Sequence, residues 1–495
     1  MKRKKNTPPP SIQEITHLAL EEHRRLLPVQ EFDLLIKELE KPLYPALRVN
    51  PLKCSPASPA DWAQFYDWEL QPVPYCPTGW WITKADHPVS QAIEHRLGLF
   101  YLQDAASMLP VQLFDLDPDP NLLVLDMAAS PGGKTTHLIS RTDDSSLIVA
   151  NDSSAGRITA LRLVLQTWGA TSTAVTSFPG EKFGGWFPET FDRILLDAPC
   201  SMQNLRSTES HPMRPITASE RKSLSTRQTR LLTSGFQALK PGGQIVYATC
   251  TLAPEEDEAV LDNLVSLFGS AAKIETLDGK LPAPAPGLAG DGARFYHPDV
   301  VKAARLYPHR FGTSGFFCAL ISKQSSIVRQ TGQAPQRDLS RTSLIHLSDH
   351  EAQPILNQVL DVYGFDFQQY LAHKNLALWQ RHTQVYIIPE QWITHFGDLP
   401  FQAVGMLFGD VSEEGFIPSH EWITRFAIRF DHGKIVLEED QVDSWLKGED
   451  IQMGSLTAGL SSDIAVVYDR HQRLLGRGKI VSGRIKNLLP RRVIY

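Results

Sequence analysis

Cysteine is scarce in this 495-residue chain: there are five, none in CxxC spacing, which argues against a disulfide framework or a cysteine-rich zinc site. No apolar run is long enough to cross a bilayer. The opening Met1–Ser11 is basic and proline-rich and lacks the apolar stretch of a secretory signal. These absences lead to the expectation of a reduced, cytoplasmic protein with no membrane association. An excess of positive charge is missing too: 49 Lys and Arg stand against 55 Asp and Glu, a net charge of −6, so overall charge does not mark a nucleic-acid binder. No internal repeat is evident. What remains is 42% hydrophobic and 21% charged residues, the balance of an ordinary globular protein, at a length that suggests two or three domains of about 150 residues.

Charge is unevenly spread. The tail beginning at Arg473 carries Arg473, Arg477, Lys479, Arg484, Lys486, Arg491 and Arg492 with no acidic residue up to Tyr495. Such a patch can attract phosphate on an acidic protein, or it can be a solvated tail.

Residues 1–11 read as a disordered basic tail, and 12–110 as a mixed segment opening with apolar Ile15, Leu18, Leu20, Leu26 and Leu27 at helical spacing. Between 111 and 323 short apolar runs alternate with helical patterns, which predicts an α/β unit with a parallel sheet covered on both faces. Its strands are expected at Leu122–Asp126, Leu147–Asn151, Phe191–Asp197 and Gln244–Thr249, with a helix over Ser219–Lys240 stopped by Pro241-Gly242-Gly243. Polar residues 324–343 suggest a linker, and 344–495, with Trp379, Trp392, Trp422 and Trp445, a small β-rich module.

The first of these strands runs into Met127-Ala128-Ala129-Ser130-Pro131-Gly132-Gly133-Lys134-Thr135. A small-residue loop opening a helix lets a ligand approach backbone N–H groups closely. A phosphate-binding P-loop is the competing reading, since Gly133-Lys134-Thr135 fits the end of that pattern, but Ala128 stands where its first glycine belongs. Asp152, at the end of the second strand and about twenty residues on, suits ribose hydroxyls; it also suits the N-cap of the next helix. Loop and acid together favour a nucleoside ligand, with S-adenosylmethionine a natural candidate.

Two strand ends carry cysteine: Asp197-Ala-Pro-Cys200-Ser201 and Thr249-Cys250-Thr251. Carboxyl ends of parallel strands are where open α/β sheets bind ligands, so both thiols are expected at one crevice. A thiolate adding to C6 of cytosine makes C5 nucleophilic enough to take a methyl group, and a carboxyl group at the N3 edge steadies the charge. Cys250 suits the attack, Asp197 the carboxyl role and Cys200 the release step. A single cysteine is more often a buried small hydrophobe; two at neighbouring strand ends beside a nucleoside site favour chemistry.

At these residues the chain resembles the Nol/Nop/Sun family of RNA cytosine-5 methyltransferases, and most closely its bacterial group acting on small-subunit ribosomal RNA. Leu47-Arg-Val-Asn-Pro-Leu-Lys53, Tyr101-Leu-Gln-Asp-Ala-Ala-Ser-Met108, the Asp126–Thr135 loop, the two cysteine motifs, Arg305, Pro308-His309, Gly315-Phe-Phe317 and Gly483-Arg-Ile-Lys-Asn487 carry the resemblance. It implies an α/β fold with a Rossmann-like class I methyltransferase core, an α+β N-terminal segment and a small β-rich, PUA-like C-terminal RNA-binding module. It further implies that Ala128, Ala129, Ser130, Pro131, Gly132, Gly133, Lys134, Asp152 and Asp197 line an S-adenosylmethionine site. Cys250 would form the covalent bond, Cys200 would assist release, and Lys134 would sit in the active-site crevice. The implied partner is RNA, ribosomal RNA or the small subunit, engaged by a monomer; a transfer RNA substrate and a catalytically silent RNA-binding or assembly factor are the alternatives. Two departures stand out. Met202-Gln-Asn-Leu-Arg206 replaces a glycine-rich continuation after Cys200-Ser201, and Pro179 replaces the acid expected to hold the adenine side, a loss of ~1–3 kcal/mol if a donor is left unpaired.

Overall fold

The computed structural model describes residues 20–55, 57–116, 121–206, 214–327, 332–338, 342–413, 415–452, 464–481 and 483–495. The basic segment 1–11, with Ile15 and Leu18, lies outside the described residues. Residues 20–26 are helical, and the helix Val29–Leu39 follows with Phe32 and Leu35 buried. Four short strands come next: β1 (Ala46–Val49), β2 (Glu69–Pro72), β3 (Gly79–Lys84) and β4 (Phe100–Leu102). They pair antiparallel in the order β2-β3-β1-β4.

The central unit contains β5 (Leu123–Asp126), β6 (Leu147–Asn151), β7 (Thr173–Thr176), β8 (Phe191–Asp197), β9 (Leu239–Thr249), β10 (Ala272–Ile274), β11 (Ala304–Leu306) and β12 (Phe316–Lys323). β5, β6 and β7 are buried at every residue, which is why β5 and β6 read as apolar runs with little alternation, while β7 buries Thr173 and Thr176 around Ala174 and Val175. The sheet order is β10-β12-β9-β8-β5-β6-β7; β9, β8, β5, β6 and β7 are parallel, and β12 returns antiparallel on β9. The chain leaves β5 for β6 and β7, then comes back to β8 on the other side. That reversal opens a crevice at the carboxyl ends of β5 and β8. The parallel α/β sheet expected from the pattern, and the Rossmann-like core implied by the resemblance, are therefore present, with one local difference. Leu239 is already extended, so the helix Ala218–Ala238 ends there and Pro241–Gly243 lies inside β9. Gly242 at φ +80° and a slip in the β8–β9 pairing after Phe191 absorb the irregularity.

Beyond it lie β13 (Ile345–His346), β14 (Leu376–Arg381), β15 (Gln384–Pro389), β16 (Ala403–Val404), β17 (Met406–Ser412) and β18 (Gly415–Pro418). They are followed by β19 (Lys434–Leu437), β20 (Ile451–Gln452), β21 (Ile464–Asp469), β22 (Leu474–Val481) and β23 (Arg484–Asn487). These form two five-stranded sheets, β13-β14-β15-β17-β18 and β19-β21-β22-β23-β20, while β16 pairs with β7 and extends the central sheet. No described helix is long and apolar enough to cross a membrane.

The flanking parts close on one another rather than standing apart. Leu47, Trp62 and Phe100 share a continuous buried cluster with Phe367, Trp422 and Phe426. Polar side chains stitch the seam. Arg48 donates to Gly133 O at 2.9 Å and Thr136 Oγ1 at 2.6 Å, Asn50 to Gly98 O and Trp168 O, and Lys53 to Leu97 O and Thr167 O. The RVNPLK segment is thus a clamp onto the central unit, and burial lowers the Lys53 ammonium to about 7. From the C-terminal side, buried Arg425 donates to Leu52 O at 2.6 Å and Gly169 O at 3.2 Å and lies 3.8 Å from Asp144. Arg425→Ala removes the buried cation beside Asp144, which keeps its Thr171 and Ser172 donors, and leaves Leu52 O and Gly169 O without their donor, so it should cost about 3–5 kcal/mol in denaturant unfolding. A loss under 1 kcal/mol would show that the seam does not depend on this guanidinium.

Candidate active site

The loop after β5 is shaped by packing as much as by ligand access. Gly132 adopts φ +115°, and a Cβ there would meet Val164 Cγ1 at 2.9 Å; one on Gly133 would meet Tyr101 Cε1 at 2.9 Å. The glycines let the helix Gly133–Arg141 seat against its neighbours, which the sequence reading had credited to ligand approach alone. Thr135 Oγ1 donates to Asp126 at 2.7 Å and Lys134 Nζ donates to Asp197 at 2.6 Å. Lysine and threonine are thus turned toward the ends of β5 and β8. Nothing in this arrangement supports the P-loop reading. Ala128 is half-buried, Ala129, Ser130 and Gly132 are buried, and Pro131 is exposed.

Asp152 does not cap its helix, whose N-cap is Ser154. Its carboxylate accepts the Ser130 N–H at 3.2 Å and the Ser154 N–H at 2.9 Å, and Arg157 lies 3.3 Å away. Asp152 therefore ties the small-residue loop to the end of β6. Pro179 is exposed just beyond β7, followed by Glu181, which pairs with Arg227 at 3.3 Å.

Both cysteines reach one place. Cys200 Sγ and Cys250 Sγ are 3.0 Å apart, each half-buried. The hydrogen bond to Cys250, reinforced by burial, pushes the Cys200 thiol well above its ordinary range, so Cys200 keeps its proton. Lys134 completes the group. Burial works to lower its pKa, but the charges of Asp197, Cys250 and Asp126 outweigh that and raise it. Its ammonium also lies 5.5 Å over the Phe316 ring. Asp126, at the end of β5, is buried with one carboxylate oxygen lacking a partner among the described residues. Burial, with a further push from Asp197, lifts this carboxyl to about 7.

Sequence reasoning missed what holds the cysteine loops. Glu256 is fully buried; one oxygen accepts the Ser201 N–H at 2.9 Å and the Gln228 amide at 2.9 Å, and that same amide reaches Pro199 O at 3.0 Å. Glu258 is bound at 2.9 Å and 2.7 Å by buried Arg305, whose third donor reaches Leu252 O at 2.8 Å. Thr249 Oγ1 donates to Asp257 at 2.7 Å. The run Glu255-Glu256-Asp257-Glu258 was the available signal, but an acidic run usually marks a solvated face. Near the site, the aromatic side chains of Phe100 and Tyr247 are buried core, while Tyr101 is half-buried beside Gly133.

The basic tail is mostly committed elsewhere. Arg473 binds Asp469 at 2.6 Å, Arg492 binds Glu421 at 2.6 Å, Arg484 lies 3.3 Å from Asp450, and Arg477 donates to Pro418 O. Exposure is kept by Arg484, Lys486 and Arg491.

Comparison with known proteins gives a consistent picture. Residues 113–322 match the family described as 16S rRNA methyltransferase RsmB/F, and residues 19–105 match the N-terminal domain of 16S rRNA methyltransferase RsmF. Ribosomal RNA small subunit methyltransferase F of Vibrio parahaemolyticus is 32% identical over 482 residues, 96% of either chain. The protein of the same name from Aeromonas hydrophila is 33% identical over 466 residues, 93% of either chain. Among solved structures, a methyltransferase homolog protein from Pyrococcus horikoshii is 32% identical with a TM-score of 0.52, covering 62% of this chain and 98% of its own.

The Asp126 carboxyl yields a pH test. Its folded pKa of about 7 exceeds the ordinary 3.8, so the stability it contributes is present below pH 4 and lost as pH rises through about 7. Asp126→Asn keeps an acceptor for Thr135 and cannot ionise. Its stability advantage over the parent should therefore grow between pH 5 and pH 8, by about 1–3 kcal/mol. Denaturant unfolding at the two pH values checks this; an advantage independent of pH would mean that Asp126 ionises freely in the folded protein.

Proposed function

The chain belongs to the 16S rRNA methyltransferase RsmB/F family, and on that premise we propose that it methylates C5 of a cytosine in small-subunit ribosomal RNA through a covalent bond to Cys250. The observation that carries the reading is the pair of thiols 3.0 Å apart beside the Lys134–Asp197 contact at the crevice. S-adenosylmethionine, when bound, supplies a sulfonium-activated methyl group.

The residues fit that donor. Its ammonium and sulfonium centres call for carboxylates, and Asp126 keeps a buried oxygen without a partner among the described residues while Asp197 faces the crevice with its side chain 29% exposed. The segment from Ala128 to Lys134 lines the remainder, with Asp152 at its ribose end. Cys250 adds to C6 of a cytosine that has left its stack, which makes C5 the nucleophile. Asp197, backed by Lys134, holds the N3 edge of the base. After methylation the C5 proton passes to solvent water, and the C5–C6 double bond re-forms as Cys250 departs as a thiolate that takes up a proton. Cys200, which keeps its proton against Cys250, is the group that assists this release. RNA contacts outside the pocket are assigned to residues 12–110 and 344–495, where Arg484, Lys486 and Arg491 offer exposed charge. A silent RNA-binding role draws support from exposed Pro179; calorimetry with S-adenosylmethionine showing no heat alongside normal RNA binding would favour it.

Cys250→Ala is expected to abolish methyl transfer, and Cys200→Ala to leave a stalled protein–RNA adduct that survives denaturing electrophoresis. Bisulfite mapping of total RNA with and without the gene should reveal one 16S cytosine that loses its mark. Full activity in Cys250→Ala, or a lost mark confined to transfer RNA, would refute the mechanism or the substrate respectively.

A further inference from the structure

The segment that follows Cys200 is not at rest on its own. Met202 adopts φ +58° and Leu205 φ +66°, both in the left-handed region that residues with a Cβ disfavour. Something must keep them there, and the contacts lead out of the catalytic unit. The buried Arg206 guanidinium donates to Glu38 O at 3.0 Å and Lys41 O at 2.6 Å, at the C-terminal end of the helix Val29–Leu39, and lies 3.6 Å from the Glu38 carboxylate. Leu205 is buried in a separate small cluster with Leu35 of that helix, Leu252 and Tyr307. The same loop touches the other cysteine strand: Leu252 N–H donates to Gln203 O at 3.1 Å, and Gly315 N–H to Asn204 O at 2.8 Å. The helix has its own anchorage, because Glu31 meets His309 at 2.7 Å and Arg310 at 3.1 Å.

We propose that the helix Val29–Leu39 positions the active-site loop, with Arg206 as the positioning residue that holds Met202 and Leu205 in left-handed geometry and thereby keeps Cys200 against Cys250. The proposal rests on the roles assigned above to the two cysteines. Arg206 is bonded to Glu38 and Lys41 and acts through the loop. A glycine-rich loop at this position would take the same path without help, whereas Met202 and Leu205 need the brace. The N-terminal helix therefore takes part in setting the thiol pair, beyond any part it plays in meeting RNA. A purely architectural Arg206 would join the helix to the core and leave turnover untouched in any variant that folds.

The test compares the full-length parent with Arg206→Ala, Arg206→Lys, Met202→Gly and the double variant Arg206→Ala/Met202→Gly. The substrate is small-subunit ribosomal RNA, free or in subunits, from cells lacking the gene, with labelled S-adenosylmethionine. Arg206→Ala should lower kcat by about tenfold or more while KM for S-adenosylmethionine moves less than about twofold. Arg206→Lys should keep most of the rate, because an ammonium still donates to the helix carbonyls. Met202→Gly should restore about threefold or more to Arg206→Ala, since glycine adopts positive φ freely and replaces none of the lost Arg206 contacts. Unchanged kcat in folded Arg206→Ala, or no recovery in the double variant, would overturn the proposal. If Arg206→Ala does not fold, Leu35→Ala loosens the same helix from Leu205 and must show the same loss and recovery. Cys250→Ala runs in parallel: full activity there refutes the nucleophile assignment, whatever the Arg206 variants do.

Discussion

Three consecutive carboxyl groups lie fully buried behind the cysteine pair, and the geometry of the site depends on how they are satisfied. Glu256, Asp257 and Glu258 follow the strand that ends in Cys250, and one buried cation, Arg305, serves two of them, at 2.7 Å from Glu258 and 3.6 Å from Asp257. Bringing such groups out of water costs several kcal/mol each unless every lone pair finds a donor. Burial pushes Asp257 far above the carboxylate range, so it stays protonated and lowers the negative charge that Arg305 must balance. Glu256 is instead answered by the Ser201 N–H and the Gln228 amide, while the Tyr247 hydroxyl donates to its carbonyl. Each of these bonds ends on a segment that carries or borders a thiol. The buried groups beneath the two thiols thus fix the segments from which Cys200 and Cys250 project, while the loop after Cys200 is held from its other end by Arg206.

The same logic of buried donors on backbone carbonyls binds the outer parts to the centre. Arg48, Asn50, Lys53 and Arg425 all end on main-chain oxygens of other segments. Side chains used in this way are specific to the juxtaposition they bridge, since a shift of an ångström or two strands the donor. Together with β16 pairing on β7 and the apolar cluster common to both flanks, they make the N-terminal and C-terminal parts a single wrapping around the sheet. The motif RVNPLK belongs to this wrapping. Its charged residues look like surface chemistry in the sequence and turn out to be mortar.

What could be read in advance divides along physical lines. Apolar runs at β5, β6 and β8 and the helical spacing up to Ala238 report burial directly, so the α/β order was legible. The strand ends at Asp197, Cys200 and Cys250 were legible because a topological rule places such ends at a crevice. Glu256, Asp257 and Glu258 were not, because an acidic run gives no hint of burial until Arg305 and Gln228 are known to face it. Gly132 and Gly133 were legible only as a need for space: a sequence does not show how much of it Val164 and Tyr101 take. The basic tail was legible only in part for a similar reason. Arg473, Arg477, Arg484 and Arg492 form a like-charged set in sequence, yet each meets a partner from elsewhere in the fold.

The two departures in the catalytic region differ in kind. Pro179 removes a carboxylate from an exposed position, a local subtraction that leaves the neighbouring backbone free to follow its course from β7 into Gly180. Met202 adds a side chain where the backbone still takes a glycine-like turn at φ +58°. A chain that merely tolerated Met202 could have relaxed the turn, since an unconstrained loop returns to φ below zero. Its geometry persists because Gln203 and Asn204 are bonded to the other cysteine strand and to Gly315, while Arg206 is bonded to the N-terminal helix. The loop thus holds its path by spreading the cost over contacts on both sides of the thiols. A loop braced from both sides in this way holds Cys200 beside Cys250 without a glycine at Met202 or Leu205.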